Sequence, residues 1–197
     1  TEDQAQRSKL IDILNHDVQR IERLITDYSQ MLKDEVALSR EKMKKIDLKL
    51  IARSVVDDFN NIYETKRGIK IILNDLNNQK EYFIYGIENR IEQIIANLLD
   101  NSISFSDDNK GISVEISTNE NQKIILKVID EGKGFKEKST KKIFDRFYSN
   151  RPDNFGEHSG LGLNIVKNLV DLHGASINAS NNIEHKGANV EIVFPKS

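Results

Sequence analysis

In the first part of the chain, apolar residues recur with the spacing of a helical heptad. The pattern consists of three rows: Ile11, Val18, Ile25 and Leu32; Leu14, Ile21 and Tyr28; and Leu10, Leu24, Met31 and Leu38. Two such rows predict a bundle or coiled-coil helix, and the third widens the apolar stripe so that more than one partner helix is expected. The polar segment 39–45 ends the pattern. We therefore divide the chain into a partial helical bundle, residues 1–45, and a second domain, residues 46–197.

The second domain alternates between helical and strand periodicity. The spacing of apolar positions predicts helices over 48–67, 87–103 and 160–173 and strands over 69–73, 82–85, 112–117, 123–129, 175–179 and 189–194. This order predicts an α+β fold, a two-layer sandwich of a mixed, mostly antiparallel sheet with helices on one face, preceded by the long bundle helix.

Composition excludes several classes of function. The 197 residues include 29 Lys and Arg against 31 Asp and Glu, so no strong charge attracts nucleic acid or anionic lipid, and no nucleic-acid partner is expected. The absence of cysteine excludes disulfides, thiolate catalysis and zinc–thiolate sites. No apolar run in the sequence approaches the length of a membrane span.

Two carboxamides, Asn97 and Asn101, lie four residues apart and therefore on one face of the predicted helix 87–103. Their neighbours are mostly apolar. Buried amides need hydrogen-bond partners, so the pair is explained equally well by a satisfied polar network in the core. A carboxamide oxygen is also a suitable ligand for Mg²⁺, which would make this a metal-bridged phosphate site. The pair by itself leaves both interpretations open.

Two glycine-containing segments offer further candidate chemistry. Asp130 ends an apolar strand and precedes Gly132 and Gly134, so its carboxylate could accept a hydrogen bond from an exocyclic amine such as that of adenine. The same residues are also typical of a plain turn. The segment 159–163, SGLGL, opens a helix whose N–H groups could bind phosphate, or it is only a glycine-rich loop. The polar stretch between them has the composition of a flexible lid.

Together, in this order and at these separations, the three segments resemble the histidine kinase branch of the ATPase superfamily that also contains gyrase, Hsp-type chaperones and mismatch-repair proteins. The run 17–25 resembles the second helix of that family's dimerisation and phosphotransfer bundle. The run 144–148, FDRFY, is similar to its aromatic motif at the lid edge, and the runs 101–106, 148–153 and 155–160 are similar to the ChvG type of sensor kinase.

The resemblance implies a Bergerat ATP-binding fold and a set of site residues. Asn101 would coordinate Mg²⁺, Asn97 would lie beside the triphosphate, and Asp130 would bind the adenine amino group. The remaining ATP-binding residues implied are Phe105 near the base, Gly132 and Gly134 in the adenine pocket, Arg146 and Tyr148 at the lid edge, and Gly160, Leu161, Gly162 and Leu163 around the phosphates.

Two departures from the family pattern limit what this chain is expected to do alone. At Ser104 the family often has a lysine or arginine that reaches the phosphates, so that contact is missing or comes from Lys110 or the lid. No segment resembles the acceptor motif either. His16 with Asp17 imitates only its first two residues, and we assign no catalytic residue within the chain. His173 is expected to cap a helix with a favourable dipole interaction, His158 to lie in the lid, and His185 to be solvated.

The function implied is transfer of the ATP γ-phosphate to a histidine outside this chain and from there to an aspartate of a response regulator. The resemblance also implies a homodimer formed through the bundle, and a cytoplasmic portion of a protein anchored in the bacterial inner membrane. A related hydrolase would need a glutamate base where Asn97 stands, and a carboxamide cannot take the proton. The other alternative is a degenerate kinase that acts as a nucleotide-binding or dimerisation scaffold.

Overall fold

The computed structural model describes residues 41–135, 140–145, 160–182 and 187–196, together with residues 7, 10, 11, 14, 15, 18, 21, 22, 25, 26 and 29. The described positions from 7 to 29 are helical and exposed, in agreement with the predicted helix. Each of the apolar residues among them is 51–61% exposed: Leu10, Ile11, Leu14, Val18, Ile21 and Ile25. The other members of the predicted rows, Leu24, Tyr28, Met31, Leu32 and Leu38, lie outside the described residues.

The elements beyond residue 40 follow the predicted order. The helices are α1 (Leu48–Arg67), α2 (Glu88–Phe105) and α3 (Gly162–Leu172). The strands are β1 (Lys44–Asp47), β2 (Lys70–Asp75), β3 (Phe83–Gly86), β4 (Gly111–Thr118), β5 (Ile124–Asp130), β6 (Ser176–Asn181) and β7 (Ala188–Val193). β1 and a 3₁₀ helix at Thr140–Phe144 were not predicted from the sequence.

The strands form two sheets. A five-stranded sheet has the order β2-β4-β5-β7-β6, and every neighbouring pair in it is antiparallel except β2 with β4, which is parallel. β1 and β3 form a separate antiparallel pair. Alternate residues of β4, β5 and β7 are buried, as expected where one face of a sheet is covered by helices. This arrangement confirms the predicted α+β fold with a mixed, mostly antiparallel sheet.

The core lies between the sheet and the three helices. It contains apolar side chains of α2 such as Ile91, Ile95 and Leu99, and they are fully buried with Val114 and Leu126 of the sheet. Burial of each such side chain stabilises the fold by about 1.5–3 kcal/mol relative to leaving it exposed. The contacts of α1 with β2, α2 with β5 and α3 with β6 place all three helices on the sheet.

Polar contacts cap the N-terminal end of α1 and join it to β2 and to Tyr82, the residue before β3. Asp47 caps the helix, and its Oδ1 accepts hydrogen bonds from Lys49 N at 3.0 Å and Tyr82 N at 3.1 Å. Lys49 Nζ lies 2.6 Å from Asp75 Oδ2, and the Tyr82 hydroxyl donates to the same carboxylate. Burial would raise the pKa of Asp75, but the hydrogen bonds from Lys49 and Tyr82 and the charge of Lys49 outweigh it and lower the pKa to about 2.

Candidate functional site

The two carboxamides predicted to lie on one helix face belong to α2, where Asn97 and Asn101 are both half-buried. α2 packs directly against α3. A Cβ atom added to Gly162, the first residue of α3, would lie 4.0 Å from Asn97 Oδ1. The structure therefore brings together the carboxamide face of α2 and the start of α3, two features that are far apart in the sequence.

The start of α3 is suited to an anion. The first turn of an α-helix presents N–H groups that have no partner within the helix, and the helix dipole makes this end positive. The N-cap residue of α3 is Leu161, whose side chain is buried and makes no capping hydrogen bond in the described part of the chain. Gly160 before it adopts a left-handed φ of 70°. A helix start of this kind can offer N–H donors to an anion, and this one lies near Asn97.

Asp130 ends β5 and is only 3% exposed. Its Oδ1 accepts hydrogen bonds from the backbone N–H of Gly132 at 2.9 Å and of Ala188 at 3.0 Å, and the Ser102 hydroxyl also donates to the carboxylate. Burial raises the pKa of Asp130, whereas these three hydrogen bonds act in the opposite direction. A buried acceptor of this kind can hold an amine donor of a ligand far more tightly than an exposed one.

Glycines allow the backbone to pass close to this carboxylate. A Cβ added to Gly132 would lie 2.5 Å from the carbonyl oxygen of Phe105, the half-buried last residue of α2, so no larger residue fits. Gly134 has a left-handed φ of 67°, and a Cβ there would lie 2.7 Å from Asn181 Oδ1. Glycine is therefore required at 132 by the close Phe105 carbonyl, and at 134 by the left-handed backbone beside Asn181.

The described residues at the start of the predicted lid and within it are anchored by side chains that the sequence did not single out. Asn181 exchanges two hydrogen bonds with Phe135, accepting from its N at 2.6 Å and donating to its O at 2.9 Å. Thr140 Oγ1 donates to the Ala179 carbonyl at 2.7 Å, and Asn164 Nδ2 donates to the Phe144 carbonyl at 2.9 Å. The predicted lid residues Arg146, Tyr148 and His158 lie outside the described residues.

Ser104 does not take part in the site. Its side chain is buried, and its hydroxyl donates to the Asp100 carbonyl one turn earlier in α2 at 2.7 Å. Lys110, the candidate replacement for a cation at this position, has its Nζ 3.7 Å from Glu131 Oε2. Ser104 therefore supplies no positively charged group to a phosphate. The ammonium group of Lys110 is paired with the Glu131 carboxylate.

His173 caps the end of α3, as predicted, but it does so as a neutral ring. Its Nδ1 donates to the Leu169 carbonyl at 2.7 Å, and its Nε2 accepts a hydrogen bond from Ile87 N at 3.1 Å, before the first turn of α2. Burial lowers the pKa of His173, although the hydrogen bond to Leu169 opposes the shift. The expected interaction of a charged ring with the helix dipole is replaced by a bridge between α3 and α2. His16, His158 and His185 lie outside the described residues.

The donor set fits a nucleotide better than a metal held by protein alone. Among the described residues no group of three His, Cys, Asp or Glu side chains could hold a metal ion. A Mg²⁺ ion at Asn101 would therefore depend on phosphate oxygens and water for most of its ligands, which is how Mg²⁺ is usually bound at nucleotide sites. Next to Phe105, the hydroxyl of Ser106 is buried and has no partner among the described residues, as occurs where a ligand or water completes a site.

The family model of the histidine kinase-, DNA gyrase B- and HSP90-like ATPases matches residues 86–197, more than half of the chain. The chain belongs to this family, as its motifs predicted. The segment matched contains α2, Asp130 and α3, so it includes each part of the site described above.

The curated relatives are sensor proteins. The chain is 34% identical over 180 residues to the sensor protein ChvG of Rhizobium meliloti, a match that covers 89% of this chain and 31% of the relative. It is also 34% identical to the sensor protein ChvG of Agrobacterium fabrum, covering 95% of this chain and 32% of that protein. The chain thus spans about a third of the length of these relatives.

A solved structure shows the same fold. The catalytic domain of the histidine kinase ThkA superposes with a TM-score of 0.68 at 23% identity, covering 79% of this chain and 96% of that one. Within the described part of the chain, no helix is both long enough and apolar enough to cross a membrane.

Proposed function

We propose that this chain is the ATP-binding catalytic part of a sensor histidine kinase. In the longer protein it transfers the γ-phosphate of ATP to a histidine outside these residues, and the phosphate then passes to an aspartate of a response regulator. The observation that carries the proposal is the meeting of Asn97 with the start of α3, where an added Cβ at Gly162 would be 4.0 Å from Asn97 Oδ1. This contact brings the helix face that carries Asn97 and Asn101 next to the proposed phosphate-binding start of α3.

Different residues of the site contact different parts of the nucleotide. Asp130 accepts a hydrogen bond from the adenine amino group. Gly132 and Gly134 let the backbone approach the base, and Phe105 packs near the base. Asn97 lies beside the triphosphate, and the N–H groups of the segment 160–163 bind phosphate. Asn101 holds Mg²⁺, which neutralises charge on the phosphates when bound. Arg146 is proposed to contact the terminal phosphate, and Tyr148 to bind ATP at the lid edge.

Transfer is favoured over hydrolysis because of the residue beside the anion site. Activation of water needs a group that takes a proton, and the carboxamide of Asn97 cannot do so. The nucleotide is therefore held and presented to an acceptor. The exposed apolar residues of the N-terminal helix support a homodimer in the longer protein, and its membrane anchor, like its acceptor histidine, is proposed to lie outside these residues.

Binding is tested by titrating the chain with ATP in the presence and absence of Mg²⁺. Asn101→Ala should weaken the Mg²⁺-dependent binding by about tenfold or more, since loss of even an outer partner of a metal costs about ten- to a hundredfold in affinity. Asn61→Ala is the matched control, because Asn61 is an exposed helical asparagine on α1. The absence of Mg²⁺-dependent binding in the unaltered chain would contradict the catalytic proposal.

Transfer is tested by mixing the chain with a longer form of the protein that carries the acceptor histidine but has its own Asp130 replaced. Acid-labile phosphate on the longer form is the expected product.

A degenerate scaffold is the second candidate function. It is favoured by Ser104, whose hydroxyl donates to its own helix at a position where a cation would assist phosphate binding. ATP binding without transfer would support the scaffold, and release of inorganic phosphate would support a hydrolase.

A further inference from the structure

Ser102 connects the helix of the two carboxamides to the carboxylate at the end of β5. It follows Asn101 in α2, it is only 5% exposed, and its hydroxyl donates a hydrogen bond to Asp130. α2 and β5 are in contact along this side of the core. Among the described residues, Ser102 supplies the side-chain hydrogen bond to Asp130, while the other two donors are the backbone N–H groups of Gly132 and Ala188.

The two backbone donors hold only one of the two carboxylate oxygens. Both reach the same oxygen, Oδ1, and the terminal torsion of an aspartate is broad. Ser102 adds a third donor, and it comes from α2 rather than from the loop of Gly132 or from β7. Because Ser102 is on the rigid helix α2, its hydroxyl ties the direction of the Asp130 carboxylate to the position of Asn97 and Asn101.

A serine is not a neutral choice at this position. Serine is a poorer helix former than alanine, and a buried hydroxyl costs stability unless it is hydrogen-bonded. An alanine would fill the interior of α2 without needing a partner. The hydroxyl of Ser102 is therefore explained by what it does for Asp130.

We propose that Ser102 is a positioning residue for nucleotide recognition, whose hydroxyl holds the Asp130 carboxylate in the orientation that accepts the amino group of adenine. This inference rests on the proposed role of Asp130 in binding the base. It predicts that Ser102 affects the discrimination between purines with and without a 6-amino group, and not nucleotide binding in general.

The test compares ATP with inosine triphosphate, which carries an oxygen in place of the 6-amino group, by calorimetry with Mg²⁺ on the whole chain. Ser102→Ala should weaken ATP binding by about three- to tenfold, the effect of one lost hydrogen bond, and leave inosine triphosphate binding within about twofold. Ser104→Ala is the control, because Ser104 is also a buried serine of α2 but donates to Asp100 O. It should change neither affinity.

A double substitution separates positioning from a general effect on the fold. With Asp130→Asn already present, Ser102→Ala should cause no further loss of ATP affinity relative to inosine triphosphate. Equal weakening of both nucleotides by Ser102→Ala, or unchanged ATP binding, would overturn the inference while leaving the role of Asp130 intact. If the unaltered chain itself showed no preference for ATP over inosine triphosphate, the proposed role of Asp130 would fail, and the inference with it.

Discussion

At the scale of single residues, the candidate site contains a carboxyl group, that of Asp130, whose ionised form is disfavoured by burial. Asp130 is buried, and burial raises its pKa even though three hydrogen bonds favour the ionised form. In the folded state this carboxyl therefore holds its proton more tightly than in the unfolded chain. The stability that it contributes is present below its ordinary pKa of 3.8 and is lost as the pH rises through the raised value. Ionisation of this buried carboxyl therefore costs the fold stability above that pH, which fits its proposed role in binding a ligand.

Replacing Asp130 with Asn should therefore have opposite effects on stability and binding. The amide oxygen can still accept from Gly132 and Ala188, and the buried charge is removed, so the free energy of unfolding without nucleotide should stay the same or rise. ATP affinity should fall about ten- to a hundredfold, as expected for loss of a hydrogen bond to a charged group. Denaturant unfolding at pH 7 and calorimetry with ATP measure the two effects.

The neighbouring carboxylate provides the control. Glu131→Gln changes the charge of an exposed side chain that lies 3.7 Å from Lys110, and it should leave ATP affinity unaltered. If Asp130→Asn destabilised the chain but bound ATP as tightly as the unaltered protein, Asp130 would be a structural residue only.

The candidate site residues that the sequence indicates differ in kind from those that only the structure points to. Asn97 and Asn101 are fixed by one helical turn, and Asp130 by its position between a strand and two glycines, so local spacing reveals them. Ser102 and Asn181 act through hydrogen bonds to residues far along the chain, and a serine in a helix or an asparagine ending a strand carries no periodic signal. Their roles follow from the packing of α2, β5 and β6, which the sequence pattern does not specify.

At the scale of elements, prediction succeeded where a segment buries several residues at regular spacing. α2 and β5 do so and were predicted. β1 was missed because only one of its four residues, Ile46, is buried, and the strand is defined by its pairing with β3. The 3₁₀ helix at Thr140–Phe144 was also missed, because it is too short for a periodic pattern and is held by Thr140 Oγ1 at the Ala179 carbonyl.

The junction of α2 and α3 depends on a neutral histidine. Because burial lowers the pKa of His173 below 6.5, the ring contributes stability that is present above pH 6.5 and is lost as the pH falls through 6.5 toward the folded-state pKa. The free energy of unfolding should decrease in this window by up to about 1.4 kcal/mol per pH unit. His173→Gln, which does not titrate, should abolish this slope and destabilise the chain by about 1–3 kcal/mol at pH 8. Denaturant unfolding at several pH values measures both.

Other titrating groups act at different pH or with the opposite sign. Asp75, whose pKa is lowered from 3.8 to about 2, loses its contribution only as the pH falls through that lower range. Asp130 changes stability in the opposite direction. His185→Gln serves as a control, because the sequence predicts a solvated side chain there. An acid slope between pH 6.5 and 5 that persisted in His173→Gln would assign it to a different group.

At the scale of the whole molecule, the chain contains one part that buries its apolar residues and one that does not. The core is formed by side chains from Ile46 onward, whereas the described apolar residues of the N-terminal helix are more than half exposed. Glu41 marks the beginning of the packed part, since its carboxylate accepts hydrogen bonds from Asn89 and Arg90 of α2. Isolated helices with such a stripe are marginal in water and gain stability by pairing.

A chain reduced to residues 41–197 should therefore keep its fold and its nucleotide site but lose self-association. We expect its free energy of unfolding to lie within about 1 kcal/mol of that of the same domain in the whole chain, because the truncation removes no described core residue. ATP affinity should agree within about twofold. Sedimentation should show that the whole chain associates as its concentration rises and that the shorter chain remains monomeric.

Val18→Glu in the whole chain, which places a charge in the apolar stripe, should also reduce association without changing ATP binding. Failure of the shorter chain to fold would mean that the N-terminal segment contributes to the core, and association that survived both changes would place the contact surface on the catalytic domain.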